Sequence, residues 1–98
     1  MKIVRDGKKT TVFPQGRIDA NGAPGFAEEM QKALMGAEEF VIDLSELEYM
    51  SSSGLRAVML AVKTMNSQGE IRIVNVSESM YNILELTGFT GVCEVEHA

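Results

Sequence analysis

The chain has 98 residues, 45% of them hydrophobic and 23% charged. It is long enough for one core, burying roughly 60–70% of its unfolded surface without metal or disulfide support. Its formal charge of −5, from nine Lys and Arg against fourteen Asp and Glu, argues against nucleic acid and against anionic membranes, because both demand a positive face. The single cysteine, Cys93, excludes an internal disulfide; a reducing, cytoplasmic setting is expected. No apolar run approaches the ~20 residues of a membrane helix, so membrane insertion is not expected and the expected partner is a protein.

Met1–Arg5 and Thr10–Pro14 flank the turn Asp6-Gly7-Lys8-Lys9 and predict a β-hairpin. Gly16–Asp19 then leaves the sheet, and Asn21–Gly25 is loop chemistry with Pro24 near a helix start. Phe26, Met30, Ala33, Leu34 and Ala37 recur at helical spacing among Glu28, Glu29, Gln31 and Lys32, which predicts an amphipathic helix. Glu39–Leu44 is nearly all apolar and suits a central strand, with Asp43 at its C-terminal end, where open α/β sheets present functional edges. Ser45–Met50 is expected to be a connection.

From Gly54 to Ser67 a second helix is predicted, with Leu55, Val58, Met59, Val62 and Met65 as its core stripe and Gln68-Gly69 as its stop. Glu70–Val76 alternates as a strand. Ser77 then caps a helix that holds Met80, Ile83, Leu84 and Leu86 and ends at Thr87-Gly88. Val92–Val95 closes the chain as a last strand. The order ββαβαβαβ implies crossovers, and so one α/β domain over residues 1–98 with a mixed, partly parallel sheet.

Catalytic parts are few. The one histidine, His97, is penultimate and expected to fray. A serine nucleophile therefore has no internal histidine as its base. No Cys/His spacing suits a metal, no Gly-rich loop ends in Gly-Lys-Ser/Thr, and no cofactor is implied. Cys93 reads as a small core residue of an apolar strand. A binding module is expected, not an enzyme.

Ser51-Ser52-Ser53-Gly54 opens the second helix. One serine suffices as an N-cap; three with a glycine exceed that need. A phosphate on a helix N-terminus is tolerated by the free N–H groups and the dipole, and it changes local charge by about −1.5 to −2. On the face of Ser52 follow Leu55, Arg56, Met59, Leu60 and Lys63. With Leu55 and Met59 assigned to the core, Arg56, Leu60 and Lys63 remain beside Ser52. Leu60 is then either an apolar anchor rimmed by two cations or buried under a neighbouring loop.

Asp43-Leu44-Ser45 through Tyr49-Met50, followed by Ser51-Ser52-Ser53-Gly54-Leu55, resembles the signature of the STAS domain family of anti-sigma factor antagonists. The usual form there is Asp-Leu-Ser, an aromatic-apolar pair, then Asp-Ser-Ser-Gly-Leu opening a helix. Gly16-Arg17-Ile18-Asp19 and Ile83–Phe89 are similar to two further segments of that family, in the same order. The resemblance implies a partner-switching protein that binds an anti-sigma factor of the GHKL serine-kinase type. The kinase phosphorylates the serine after the acid, here Ser52, and a PP2C-type phosphatase reverses it. Asp19 matches a residue near the partner surface, and Ser53 and Gly54 complete the motif. Ser51 stands where the family has an acid, which leaves open phosphorylation at Ser52, at a neighbouring serine, or binding without phosphorylation. The other reading that the resemblance implies is an accessory or scaffold STAS domain in a lipid-transport or stress-sensing complex.

Overall fold

The computed structural model describes residues 1–98. Seven strands and three helices follow in the order β1 (Lys2–Asp6), β2 (Lys9–Phe13), β3 (Gly16–Ile18), α1 (Ala23–Leu34), β4 (Glu39–Asp43), β5 (Leu47–Met50), α2 (Ser52–Asn66), β6 (Glu70–Val76), α3 (Glu78–Leu86) and β7 (Glu94–His97), with a 3₁₀ turn at Phe89–Gly91. The main sheet runs β1-β2-β4-β6-β7. Only the β1–β2 hairpin is antiparallel; the other three pairings are parallel, as helical crossovers require. The expected order ββαβαβαβ describes this sheet.

Beside it lies a second sheet, the parallel pair β3–β5. The expected connection Ser45–Met50 is thus partly a strand, and Gly16–Ile18 leaves the main sheet only to join it. Strands of three and four residues carry too little alternation to stand out, yet Ile18 and Met50 are buried while Arg17 and Tyr49 face out.

One core of 22 buried residues joins the inner face of the main sheet to the helices, so no part of the fold stands on a separate core. Phe40, Ile42 and Ile73 from the sheet, Met30 and Leu34 from α1, and Val62 and Met65 from α2 are at its centre. Burying each contributes about 1.5–3 kcal/mol. Helix α1 begins at Ala23, with Pro24 in its first turn, three residues before the expected Phe26. It ends at Leu34; Ala37 is buried beyond it, past Gly36, whose φ is +77°. Two side chains from elsewhere cover its last carbonyls: the Arg5 guanidinium donates to Lys32 O (3.1 Å), and Gln68 Nε2 donates to Leu34 O (2.7 Å) and Ala37 O (2.8 Å).

The core stripe of α2 differs from the expected one. Ala57 and Ala61 are buried with Val58, Val62 and Met65, while Leu55 and Met59 are only partly covered. The helix packs against α1, and two of its buried positions, Ala57 and Ala61, carry small side chains. At the C-terminal end, β7 is Glu94–His97, two residues later than expected, and Val92 is half exposed after the 3₁₀ turn. His97 does not fray: its ring stacks on Tyr81 of α3 with centroids 3.8 Å apart and planes 20° apart. Cys93 precedes β7 rather than lying in it; burial pushes its thiol up to about 11, which leaves little thiolate near neutral pH.

Candidate functional site

The site is built where β3 and β5 end. Their register sets Ile18 against Met50, so Asp19 and Ser51 emerge side by side. The Ser51 N–H donates to the Ile18 carbonyl at 2.8 Å, tying the entrance of α2 to β3. Asp19 is exposed, and its Oδ1 accepts from the Gly22 N–H at 2.8 Å, shaping the turn into α1.

Ser51 is the N-cap of α2. Its backbone is extended (φ −72°, ψ 168°), its side chain is buried, and its Oγ accepts from the Gly54 N–H at 3.2 Å. Ser51 therefore does locally what an Asp cap would do, without the charge. Ser52 is the first residue of the helix and is exposed, and Ser53 is partly exposed. Of the three hydroxyls, only that of Ser51 is engaged in a hydrogen bond within the chain.

Gly54 fits where a side chain does not. A Cβ there meets Met50 Cγ at 2.6 Å and Ile18 Cγ2 at 3.3 Å. The close approach seats the first turn of α2 on the β3–β5 pair, and so sets the direction in which Ser52 faces outward.

Arg56, Leu60 and Lys63 are all exposed on the outer face of α2, Leu60 at 50%. The alternative that a loop covers Leu60 is ruled out. On the outer face of β3–β5, the Arg17 guanidinium lies 4.5 Å over the Tyr49 ring. Neither residue stands out from the sequence alone; their signal is the alternation of two very short strands.

Asp43 ends β4 next to this edge. Its carboxylate accepts from the Ser45 N–H (2.9 Å) and from Asn75 Nδ2 (2.8 Å). Burial pushes this carboxyl up, but the hydrogen bonds from Ser45 and Asn75 outweigh it and hold it below the usual carboxylate range. Asn75 sits at φ +56°, the one non-glycine residue in the left-handed region. Asp43 thus fixes the turn from β4 toward β5 and links it to Asn75 of β6.

None of the three surface hollows is lined by Ser52. One of them, about 180 Å³, lies between β5 and the start of α3 and is lined by Leu44, Leu47, Tyr49, Met50, Met80 and Ile83 together with the polar Glu48, Ser77 and Ser79. Ser52 is thus presented on an open surface, the geometry of a protein contact rather than of a small-molecule cleft. No helix is long and apolar enough to cross a membrane.

Residues 1–94 match a family model described as "Mlab, STAS domain". The anti-sigma-B factor antagonist of Listeria monocytogenes serovar 1/2a is 31% identical over 96 residues, covering 95% of this chain and 83% of that protein. Among solved structures, an anti-sigma factor antagonist from Mycobacterium paratuberculosis superposes with a TM-score of 0.88 at 19% identity, over 99% of this chain and 84% of that one. The anti-sigma factor antagonist SpoIIAA in its unphosphorylated form gives 0.78 at 15% identity, over 99% and 87%. With the helix-capping serine cluster, the paired sheets and these likenesses together, the chain belongs to the STAS domain family.

Proposed function

We propose that this chain is a cytoplasmic anti-sigma factor antagonist, a single binding domain over residues 1–98 and not an enzyme. Its partner is an anti-sigma factor of the GHKL serine-kinase type, and phosphorylation of Ser52 ends the complex. The observation that carries this is the division of labour in the serine cluster: Ser51 is buried as the cap, while Ser52 is exposed with its hydroxyl unengaged. The likeness to the Listeria anti-sigma-B factor antagonist and to the anti-sigma factor antagonist SpoIIAA supports it. Asp19, Ser53, Arg56, Leu60 and Lys63 form the contact surface on the side of Ser52, while Ser51 and Gly54, both buried, orient it rather than touch the partner.

In the modification step, Ser52 Oγ attacks the γ-phosphorus of ATP held by the kinase. The Oγ–P bond forms as the bond to ADP breaks, and the hydroxyl proton passes to a base of the kinase. A PP2C-type phosphatase directs water at the same phosphorus and returns the hydroxyl and inorganic phosphate. Incubation with the cognate kinase and ATP is expected to add one phosphate, located on Ser52 by tandem mass spectrometry and absent in Ser52→Ala. Phosphate on Ser51 or Ser53 instead, or none, contradicts the assignment.

A second reading, an accessory or scaffold STAS domain of a lipid-transport or stress-sensing complex, is supported by the matched family description, which names Mlab rather than an antagonist. Co-purification with a transport ATPase, together with an unmodified Ser52, favours that reading over the switch.

A further inference from the structure

Seven of the nine Lys and Arg side chains are engaged within the chain. Lys8, Lys9, Lys32 and Arg72 meet carboxylates, Arg5 meets the carbonyls of α1, and Lys2 and Arg17 lie over Phe13 and Tyr49. The two that remain are Arg56 and Lys63, both exposed on the outer face of α2. That helix carries no Asp or Glu at all, so nothing on it competes for either cation.

Arg56 stands four residues after Ser52, one helical turn along the same face. Helical side chains lean toward the N-terminus, which carries the guanidinium back over Ser52. An anion N-terminal to its cation at this spacing is the favourable order. A guanidinium also matches phosphate with two parallel N–H donors, which a lysine does not. Lys63 is eleven residues from Ser52, about 16 Å along the axis at 1.5 Å per residue, beyond the roughly 8 Å screening length of physiological salt.

We propose that a phosphate on Ser52 is clasped by Arg56 of the same helix, so that modification withdraws a cation from the partner as well as adding an anion. The proposal rests on Ser52 as the phosphoacceptor. The unmodified chain presents Arg56 beside Leu60 and Lys63 to an acidic partner surface. Once the phosphate is in place, the guanidinium is turned inward along α2, and the partner meets an anion where it had met a cation.

The test uses the full chain with phosphoserine installed at position 52 during translation, so no kinase is needed. The phosphorus NMR signal is followed from pH 4 to 8 in the native background, in Arg56→Gln, in Arg56→Lys and in Lys63→Gln. The phosphate is expected to titrate about 0.5 pH lower in the native background than in Arg56→Gln, with Arg56→Lys between them and Lys63→Gln unchanged. Asp19 faces the same surface in all four chains, so its charge cancels in the comparison. Equal midpoints for the native background and Arg56→Gln, or equal shifts for Arg56→Gln and Lys63→Gln, overturn the clasp. Either result leaves the kinase assay of Ser52 untouched, and a kinase that ignores Ser52 defeats the assignment without altering this titration.

Discussion

The two ends of α2 are used in opposite ways. At the C-terminal end the inner side is locked into the fold, and only outward groups such as Lys63 stay exposed. Gly69 lies so close to the Glu38 backbone that a Cβ would fall 1.9 Å from Glu38 O, and the Glu70 N–H donates to that carbonyl at 3.0 Å. Gln68 spans to the last carbonyls of α1. At the N-terminal end the inner side is equally tight, with Gly54 against Met50 and Ser51 as the buried cap. Its outer side holds the free hydroxyl of Ser52 and the unpaired Arg56, with the exposed Leu60 one turn further along the same face. A helix end held by close backbone contact is fixed by stability, whereas one that presents an unengaged hydroxyl and a cation on a rigid seat is available to another molecule.

Breaking the C-terminal end has the largest expected effect. Gly69→Ala forces a methyl group into the Glu38 backbone, which has no flexible end to move aside, and is expected to cost about 3 kcal/mol. Urea denaturation reads the loss, and partner affinity of the folded fraction stays unchanged. At the other end, Ser51→Ala leaves the Gly54 N–H without its acceptor. It is expected to cost about 1 kcal/mol and, unlike Gly69→Ala, to weaken partner binding by loosening the turn that carries Ser52. Ser51→Asp keeps the cap and restores both properties; a variant as weak as Ser51→Ala would show that the cap is not what Ser51 supplies.

The smallest effect concerns Asp43. Its folded carboxyl titrates below the unfolded value, so its contribution to stability is fully present above about pH 4 and is lost as pH falls through the folded midpoint. Asp43→Asn removes that contribution. The gap in stability between the native chain and the variant is therefore expected to narrow as urea denaturation is repeated from pH 6 down to pH 2.5. A gap that widens in acid contradicts the sign.

Much of this arrangement is legible in the residues. The long periodic run of α2, the apolar run of β4 and the Gly-containing hairpin turn each declare themselves, because burial on one or both faces dictates their spacing. The β3–β5 pair does not: three and four residues cannot establish a period, and only pairing in space brings Asp19 next to Ser51. The alanine seam of α2 is hidden for another reason. Close helix packing selects small side chains, whereas hydrophobic patterning looks for large ones, so Leu55 and Met59 draw attention from Ala57 and Ala61. His97 is held by a stacking partner sixteen positions away, Tyr81, which no local pattern reveals. The serine motif names Ser52, but only the buried cap at Ser51 separates the two neighbouring hydroxyls.

Calorimetric titration of the proposed anti-sigma kinase partner with the unmodified chain and with the chain bearing phosphoserine at 52 tests the proposed switch directly. The phosphorylated chain is expected to bind at least about tenfold more weakly, a difference of about 1.4 kcal/mol or more. Equal affinities for the two forms would contradict a switch at Ser52.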